Sequence, residues 1–377
     1  MSLRIGGMGW VTPLGSGVVH VWERLMNGAL AAPETISSPL NARTFQVYRV
    51  PPEATAAAPA HPRLRRSSAI SRFAVVAGLA ALEDAKLTLD AATAERTALI
   101  FAVSNGGVVY TKRFYHEVVE SGAQAASPLL FPETVFNAPA SHLAAILGIT
   151  GATYTVVGDG AVGVLALKMA EDLMENPAID RCLVVGAEEA DWLLCDAYHR
   201  WHLLGTEAPA RLFARRGRGT ILSEGAGAVL LDRNGATAID QIDAGCNFRR
   251  QNEAASCVEQ VFRGLDATSE DVIFASANGT FIDAAERSAI SRFVPDANVF
   301  SPKAALGESV GTSTLWQVIC AVQALRTHQL PPLPAVAHEP GVRISSEPMT
   351  NLTSRRAIVS ACGMNQQVAG LSLIAPD

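Results

Sequence analysis

Charge is scarce in this chain. Asp, Glu, Lys and Arg make up 18% of its 377 residues, below the roughly 25% of an average soluble domain. The small excess is acidic, a net charge of -6, so the basic footprint that a nucleic-acid partner requires is missing. Long apolar runs are missing too. Ala74–Leu82 and Ala161–Leu167 stop at Glu83 and Lys168, short of the ~20 residues needed to cross a bilayer, which predicts no membrane insertion. The opening MSLRIGGMGWVTPLG has no cationic stretch followed by an apolar one, so it does not read as a secretory leader. The six cysteines, Cys182, Cys195, Cys246, Cys257, Cys320 and Cys362, form no CxxC pair and no even framework; they read as reduced, mostly buried thiols. Together these absences predict a cytoplasmic protein. Disorder is excluded by a hydrophobic content of 49%, ample for a core.

What is present is an alternation of strand-like and helix-like segments, the pattern of a layered α/β protein. Ser71–Lys86 has helical apolar spacing, and Ala98–Val103 is a short strand running into the turn Ser104–Gly107. Thr153–Val157 is a strand, followed by Gly158-Asp159-Gly160 and a mostly apolar helix from Ala161 to Glu175. Strands follow at Arg181–Gly186 and Gly225–Leu231. Asn234-Gly235 then marks a turn and a boundary, dividing the chain into halves at 1–234 and 235–377. The order restarts beyond it: strand 238–244, helix 253–265, strand 272–277, helix 283–292, a long small-residue helix 310–326, a Pro-rich 330–340 and a final strand pair, 356–362 and 368–374. The Ala/Pro-rich Pro51–Pro62 reads as a surface loop.

Several motifs in this order resemble one family. Gly7-Met8-Gly9-Trp10-Val11-Thr12-Pro13-Leu14-Gly15, the helix from Ser71 to Leu87, and Ser127-Pro128 through Asn137 with Leu147–Gly151 are the first three. Arg211, Phe213, Arg216 and Gly217 with Glu224–Gly227, then Lys303, Gly307 and Gly311, complete the set. The chain resembles a β-ketoacyl synthase of the thiolase-like superfamily over nearly its whole length. The resemblance implies a five-layered αβαβα fold made of two similar halves, dimerisation, and acyl-carrier-protein substrates without a cofactor. It also implies a cysteine nucleophile at the N-terminus of a buried helix, where the helix dipole favours a thiolate. Two histidines would assist decarboxylation and stabilise the oxyanion.

The departures from that pattern carry the functional reading. The nucleophile position falls on Gly160, which has no side chain to attack or carry an acyl group. The two histidine positions fall on Asn278 and Glu308; nearby Lys303 is retained. Asp159 reads as the N-cap of the following helix, with a new catalytic carboxylate as the alternative. Glu308 reads as an ion-pair partner of Lys303 or an arginine, with a general base as the alternative. Asn278 can maintain loop geometry through its amide. Met364 occupies the place of a gating phenylalanine, and Asn365-Gln366-Gln367 replace a glycine pair. Leu129, Leu130 and Phe131 lie where the resemblance implies a dimer interface bordering the partner's acyl tunnel, against ordinary core packing.

Two basic runs, Arg63, Arg65, Arg66 and Arg211, Arg215, Arg216, Arg218, are candidates for receiving an acidic acyl carrier protein, with solvated loops as the alternative. His199 and His202, on a helix predicted over 191–204, have metal-compatible spacing but no third ligand at motif spacing, so no metal is expected. These features predict a non-catalytic subunit similar to a chain-length factor, pairing with an active ketosynthase or with itself. The alternatives are a divergent hydrolase, decarboxylase or acyltransferase without the Cys-His-His set, and a module that binds acyl chains or carrier proteins.

Overall fold

The structure, a computed structural model, describes residues 3–214, 217–333 and 341–375. Its frame is an 11-stranded sheet that divides into two equivalent parts. The first contains β1 (Arg4–Thr12), β2 (Thr97–Val103), β3 (Thr153–Val157), β4 (Arg181–Glu188) and β5 (Gly225–Asp232). The second contains β6 (Thr237–Asn247), β7 (Val272–Phe274), β8 (Asn298–Phe300), β9 (Arg356–Cys362) and β10 (Gln367–Ile374). The strand orders are β3-β2-β4-β5-β1 and β8-β7-β9-β10-β6, the same order in each. In both, the second strand runs parallel to the third and fourth, and the fifth runs antiparallel to its two neighbours. The parts pair at Arg4↔Ala238 and Ile5↔Thr237, with the Asn234-Gly235 turn between β5 and β6. Gly15–Ser16 adds a short strand to β1.

The helices supply three further layers: α1 (Ala69–Asp84), α2 (Val108–Ser121), α3 (Ala138–Leu147), α4 (Val162–Leu173), α5 (Trp192–Arg200), α6 (Ala254–Gly264), α7 (Phe281–Phe293) and α8 (Ser313–Thr327). α1 packs on β1, β4 and β5 on the outer face of the first part, with α3 beside it, and α6 covers β6, β9 and β10 on the outer face of the second, with α7 beside it. Between the two parts lie α4, touching β2 and β4 on one side and β6 and β10 on the other, and α8, which touches β1, β5, β7 and β9. The result is the five-layered αβαβα thiolase-like arrangement. α8 is buried from Ser313 through Leu325, which explains its lack of an amphipathic pattern.

β1 shows how sequence sets the layer spacing. Met8 and Trp10 point into the core shared with the central helices, while Gly7 and Gly9 face α1. A Cβ on Gly9 would lie 1.8 Å from the Ala77 carbonyl oxygen, and one on Gly7 2.2 Å from that of Ala81. A register shift between Ile5 and Gly7 puts Ile5 on the core side as well.

Several elements differ from the sequence expectation. The long helix expected from 310 begins at Ser313, because Gly307 (φ 79°) and Val310 (φ 33°) leave the helical region; Lys303–Leu306 is a separate turn. The helix expected over 191–204 ends at Arg200, since His202 adopts a left-handed φ of 58°. Pro51–Pro62 contains the 3-10 turn Pro52–Thr55, anchored by buried Ala54. A small sheet of Pro33–Ser37, Thr44–Tyr48 and Leu222–Ser223 has no counterpart in the sequence pattern. Residues 334–340 of the Pro-rich stretch lie outside the described residues, as do Arg215 and Arg216.

Candidate functional site

β3 ends at Val157, and the chain turns through Gly158, Asp159 and Gly160 into α4. Gly160 is buried, and its carbonyl accepts a hydrogen bond from the Thr314 hydroxyl on α8. A Cβ added at Gly160 would stand 3.1 Å from the Gly363 Cα. The turn between β9 and β10 therefore lies directly over residue 160.

Asp159 is not the N-cap of α4. The cap position is Ala161, without a side-chain hydrogen bond, and the Val162 N–H bonds to the Asp159 backbone carbonyl at 2.8 Å. The Asp159 carboxylate instead accepts the Asn365 N–H at 2.6 Å. Burial raises its pKa above the usual carboxylate range, against the lowering effect of the Gly160, Asn365 and Gln367 N–H groups. Met364, in the same turn, is 8% exposed.

The other two positions meet each other. Asn278 Nδ2 donates to Glu308 Oε2 at 2.8 Å, and Lys303 Nζ reaches the same oxygen at 2.8 Å. The second carboxylate oxygen, Oε1, accepts from Ser313 Oγ at 2.7 Å and from the Val310 N–H at 3.0 Å. A carboxylate has about four acceptor sites, so Glu308 has no lone pair left for a substrate proton. Asn278 Oδ1 is also occupied, accepting from the Thr280 N–H and hydroxyl at 3.2 and 2.6 Å. Lys303 and Glu308 side chains are each 2% exposed. The ensemble is a closed ionic network rather than an acid–base pair awaiting substrate.

Beneath this network lie further buried carboxyls. Asp283 accepts the N–H groups of Phe213, Asn278 and Gly279 and is pushed up to about 6 by burial. Glu286 accepts from the Ser276 N–H and Ser360 hydroxyl through Oε1, while its Oε2 has no partner among the described residues. Burial pushes Glu286 up to about 7, and an unpartnered oxygen suits the protonated form. A carboxyl whose folded pKa is raised stabilises the fold fully below its unfolded pKa near 4.5. That contribution falls as pH rises towards the folded value. Urea unfolding of Glu286→Gln, which mimics the protonated carboxyl, should flatten the stability profile between pH 4.5 and 7 by on the order of 3 kcal/mol relative to the parent. Parallel profiles would show that Glu286 is ionised in the fold.

Beside the turn is a cleft of about 460 Å³ whose lining includes Asn105, Asp159, Tyr198, Trp201, Asn247 and Gln367. Glu188 holds its rim by accepting the Ser104 and Asn105 N–H groups, and burial pushes this carboxyl up to about 8. No local sequence pattern links Tyr198, Glu188 and the Asn365–Asp159 contact. The one signal in the sequence was the unusual Asn365-Gln366-Gln367. His199 packs edge-on against Phe45, with ring centroids 6.0 Å apart. No group of three metal-ligating side chains occurs among the described residues, and none of their helices is long and apolar enough to cross a membrane.

The remaining candidates are on the surface. Arg63, Arg65, Arg66 and Arg211 are exposed, and Arg218 pairs with Glu207 at 3.0 Å. Leu129 and Phe131 are 60% and 57% exposed, not core, and Leu130 is half-buried. They lie near α2, which buries none of its residues and presents Tyr115 and Val119, and the free edge strand β3 presents Tyr154 and Val157. An unpaired edge and an apolar helix face of this kind are features of an interaction surface.

Residues 2–236 match the beta-ketoacyl synthase N-terminal domain and residues 230–337 the beta-ketoacyl synthase C-terminal domain. The chain is 23% identical to 3-oxoacyl-[acyl-carrier-protein] synthase 2 of Coxiella burnetii, covering 87% of this chain and 86% of that protein. It is 31% identical over 182 residues to the polyketide biosynthesis malonyl-ACP decarboxylase PksF of Bacillus subtilis, spanning 45% of this chain and 42% of that protein. Its fold matches the solved ishigamide ketosynthase/chain length factor with a TM-score of 0.86 at 19% identity, covering 100% of this chain and 99% of that one. The class is a thiolase-like ketosynthase fold. The chain belongs to the beta-ketoacyl synthase family.

Proposed function

We propose that this chain is a non-condensing subunit that pairs with an active ketosynthase in the cytoplasm. In that pair it helps define the acyl tunnel in fatty acid, polyketide or polyene synthesis. The observation that carries the reading is the state of the three catalytic positions. Residue 160 has no side chain, and Asn278 and Glu308 are consumed by bonds to each other, Lys303 and Ser313. The apolar surface of α2, Leu129–Phe131 and β3 would seat the partner. The arginines at 63, 65, 66, 211, 215, 216 and 218 would receive an acyl carrier protein. The halves 1–234 and 235–377 would act as one unit.

Co-expression with candidate ketosynthases, read by native mass spectrometry, should give a one-to-one heterodimer. A chain that remains a monomer or homodimer with every candidate overturns the reading. Val119→Asp with Phe131→Asp should weaken that heterodimer at least tenfold in a dilution series, since both side chains are solvent-exposed in the isolated chain and their burial would place carboxylates in the contact. The similarity to a malonyl-ACP decarboxylase favours one second reading, decarboxylation of a malonyl thioester. Carbon dioxide release from malonyl-carrier protein by the isolated chain would support it, and a rate equal to the uncatalysed one would remove it.

A further inference from the structure

The turn over Gly160 is held from several directions. Its ends are strand-paired, Cys362 with Val368 across the β9–β10 hairpin and Asn247 with Gln367 on the other side. Gly363 N–H bonds to the Gln367 carbonyl at 2.8 Å, and the Phe248 N–H to that of Gln366 at 2.8 Å. The Asp159 carboxylate joins the turn to the start of α4: its Oδ2 accepts the Asn365 N–H at 2.6 Å, and the Gln367 N–H also faces it. The two backbones also mesh closely, since a Cβ on Gly363 would overlap the Asp159 carboxylate. Gly158 and Asp159 line the adjacent cleft, whereas Gly160 does not.

We propose that Asp159 is a latch: by holding the Asn365 N–H, it keeps the 362–367 turn closed over residue 160 and separates that position from the neighbouring cleft. Asp159 is thus a positioning residue acting on the backbone of a distant hairpin, not a catalytic carboxylate. The latch rests on the reading of this chain as a subunit that loads no acyl group, and it supplies the physical closure behind that reading. It differs from the loss of the nucleophile itself, because a thiol restored at 160 would still be covered.

The test places a reporter thiol at the covered position. Gly160→Cys, Asp159→Ala/Gly160→Cys and Asp159→Asn/Gly160→Cys are treated with iodoacetamide, and alkylation at residue 160 is followed by peptide mass spectrometry. The Ala variant should label at least tenfold faster than Gly160→Cys. The Asn variant should stay within about threefold, because its Oδ1 still accepts the Asn365 N–H although the charge is gone. Equal rates for Gly160→Cys and the Ala variant overturn the latch. So does an Asn variant as fast as the Ala variant, which would make the effect one of charge on the thiol.

Labelling of Cys320, which is 0% exposed, reports any global unfolding. If Asp159→Ala unfolds, hydrogen exchange of the Asn365 amide in the otherwise unaltered chain decides. Strong protection retained in Asp159→Asn supports the latch, and an unprotected amide in the parent overturns it. Labelling reads closure in the isolated chain, whereas native mass spectrometry reads partnership. A failed heterodimer and a failed latch therefore give different results.

Discussion

Glu308→Ala is expected to cost about 3–5 kcal/mol of folding stability, the penalty for leaving one member of a buried ion pair without the other. The Lys303 ammonium would remain in a site where it is 2% exposed. Asn278 Nδ2, Ser313 Oγ and the Val310 N–H would lose their acceptors at the same time. Urea denaturation measures the loss directly, and a change below about 1 kcal/mol would mean that water takes over the role of the carboxylate. The companion variant Lys303→Met/Glu308→Gln removes both charges and keeps an oxygen and an amide in place; it should lose far less than the sum of the two single changes. Glu308→His alone should behave more like Glu308→Ala, since an imidazole cannot accept four hydrogen bonds and a protonated one would face Lys303. A histidine at position 308 therefore conflicts with the network built around the carboxylate.

Gly9→Ala is expected to cost about 3 kcal/mol or more, at the upper end for inserting a single carbon into a packed interior. Its Cβ would stand 1.8 Å from the Ala77 carbonyl oxygen, a backbone atom inside α1 that cannot rotate away. Either α1 rises from the sheet along its length, weakening the cluster that includes Phe73, Ala74 and Ala77, or β1 leaves its pairing with β5. The internal comparison is Gly160→Ala, where the nearest atom is Gly363 Cα at 3.1 Å and a shift of a few tenths of an ångström suffices. It should cost less than about 1 kcal/mol. Thermal unfolding of the two variants side by side checks the contrast, and equal losses would show that the helix–sheet spacing at β1 adapts more readily than its contacts indicate.

The sequence exposed the features that depend on near neighbours in the chain. Alternation of Gly7 and Gly9 with Met8 and Trp10 is a local pattern that fits a strand with two unlike faces, and Asn234-Gly235 marked the turn between β5 and β6. An ion pair for Glu308 was legible, though the sequence left its partner open between Lys303 and an arginine; the fold selects Lys303. What stayed hidden depends on contacts made across the fold. Asp159 looked like a cap because a helix follows it, yet its partner Asn365 is 206 residues away. Asn278 meets Glu308 across 30 residues, so their bond could not be read from either segment alone. His202 sat within a helical pattern but ends the helix through its own backbone angle. The small sheet joins Thr44–Tyr48 to Leu222–Ser223, two stretches with no pattern in common.

β3 is both the free edge of the first sheet and the segment that leads into α4. Val157, 51% exposed, stands three residues before Gly160, with only the turn residues Gly158 and Asp159 between them. Any push on that edge must be taken up within Gly158, Asp159 and Gly160 before the helix begins. The exposed edge and the covered residue 160 are thus separated by two residues of chain, so a partner seated on β3 would sit within one turn of the start of α4.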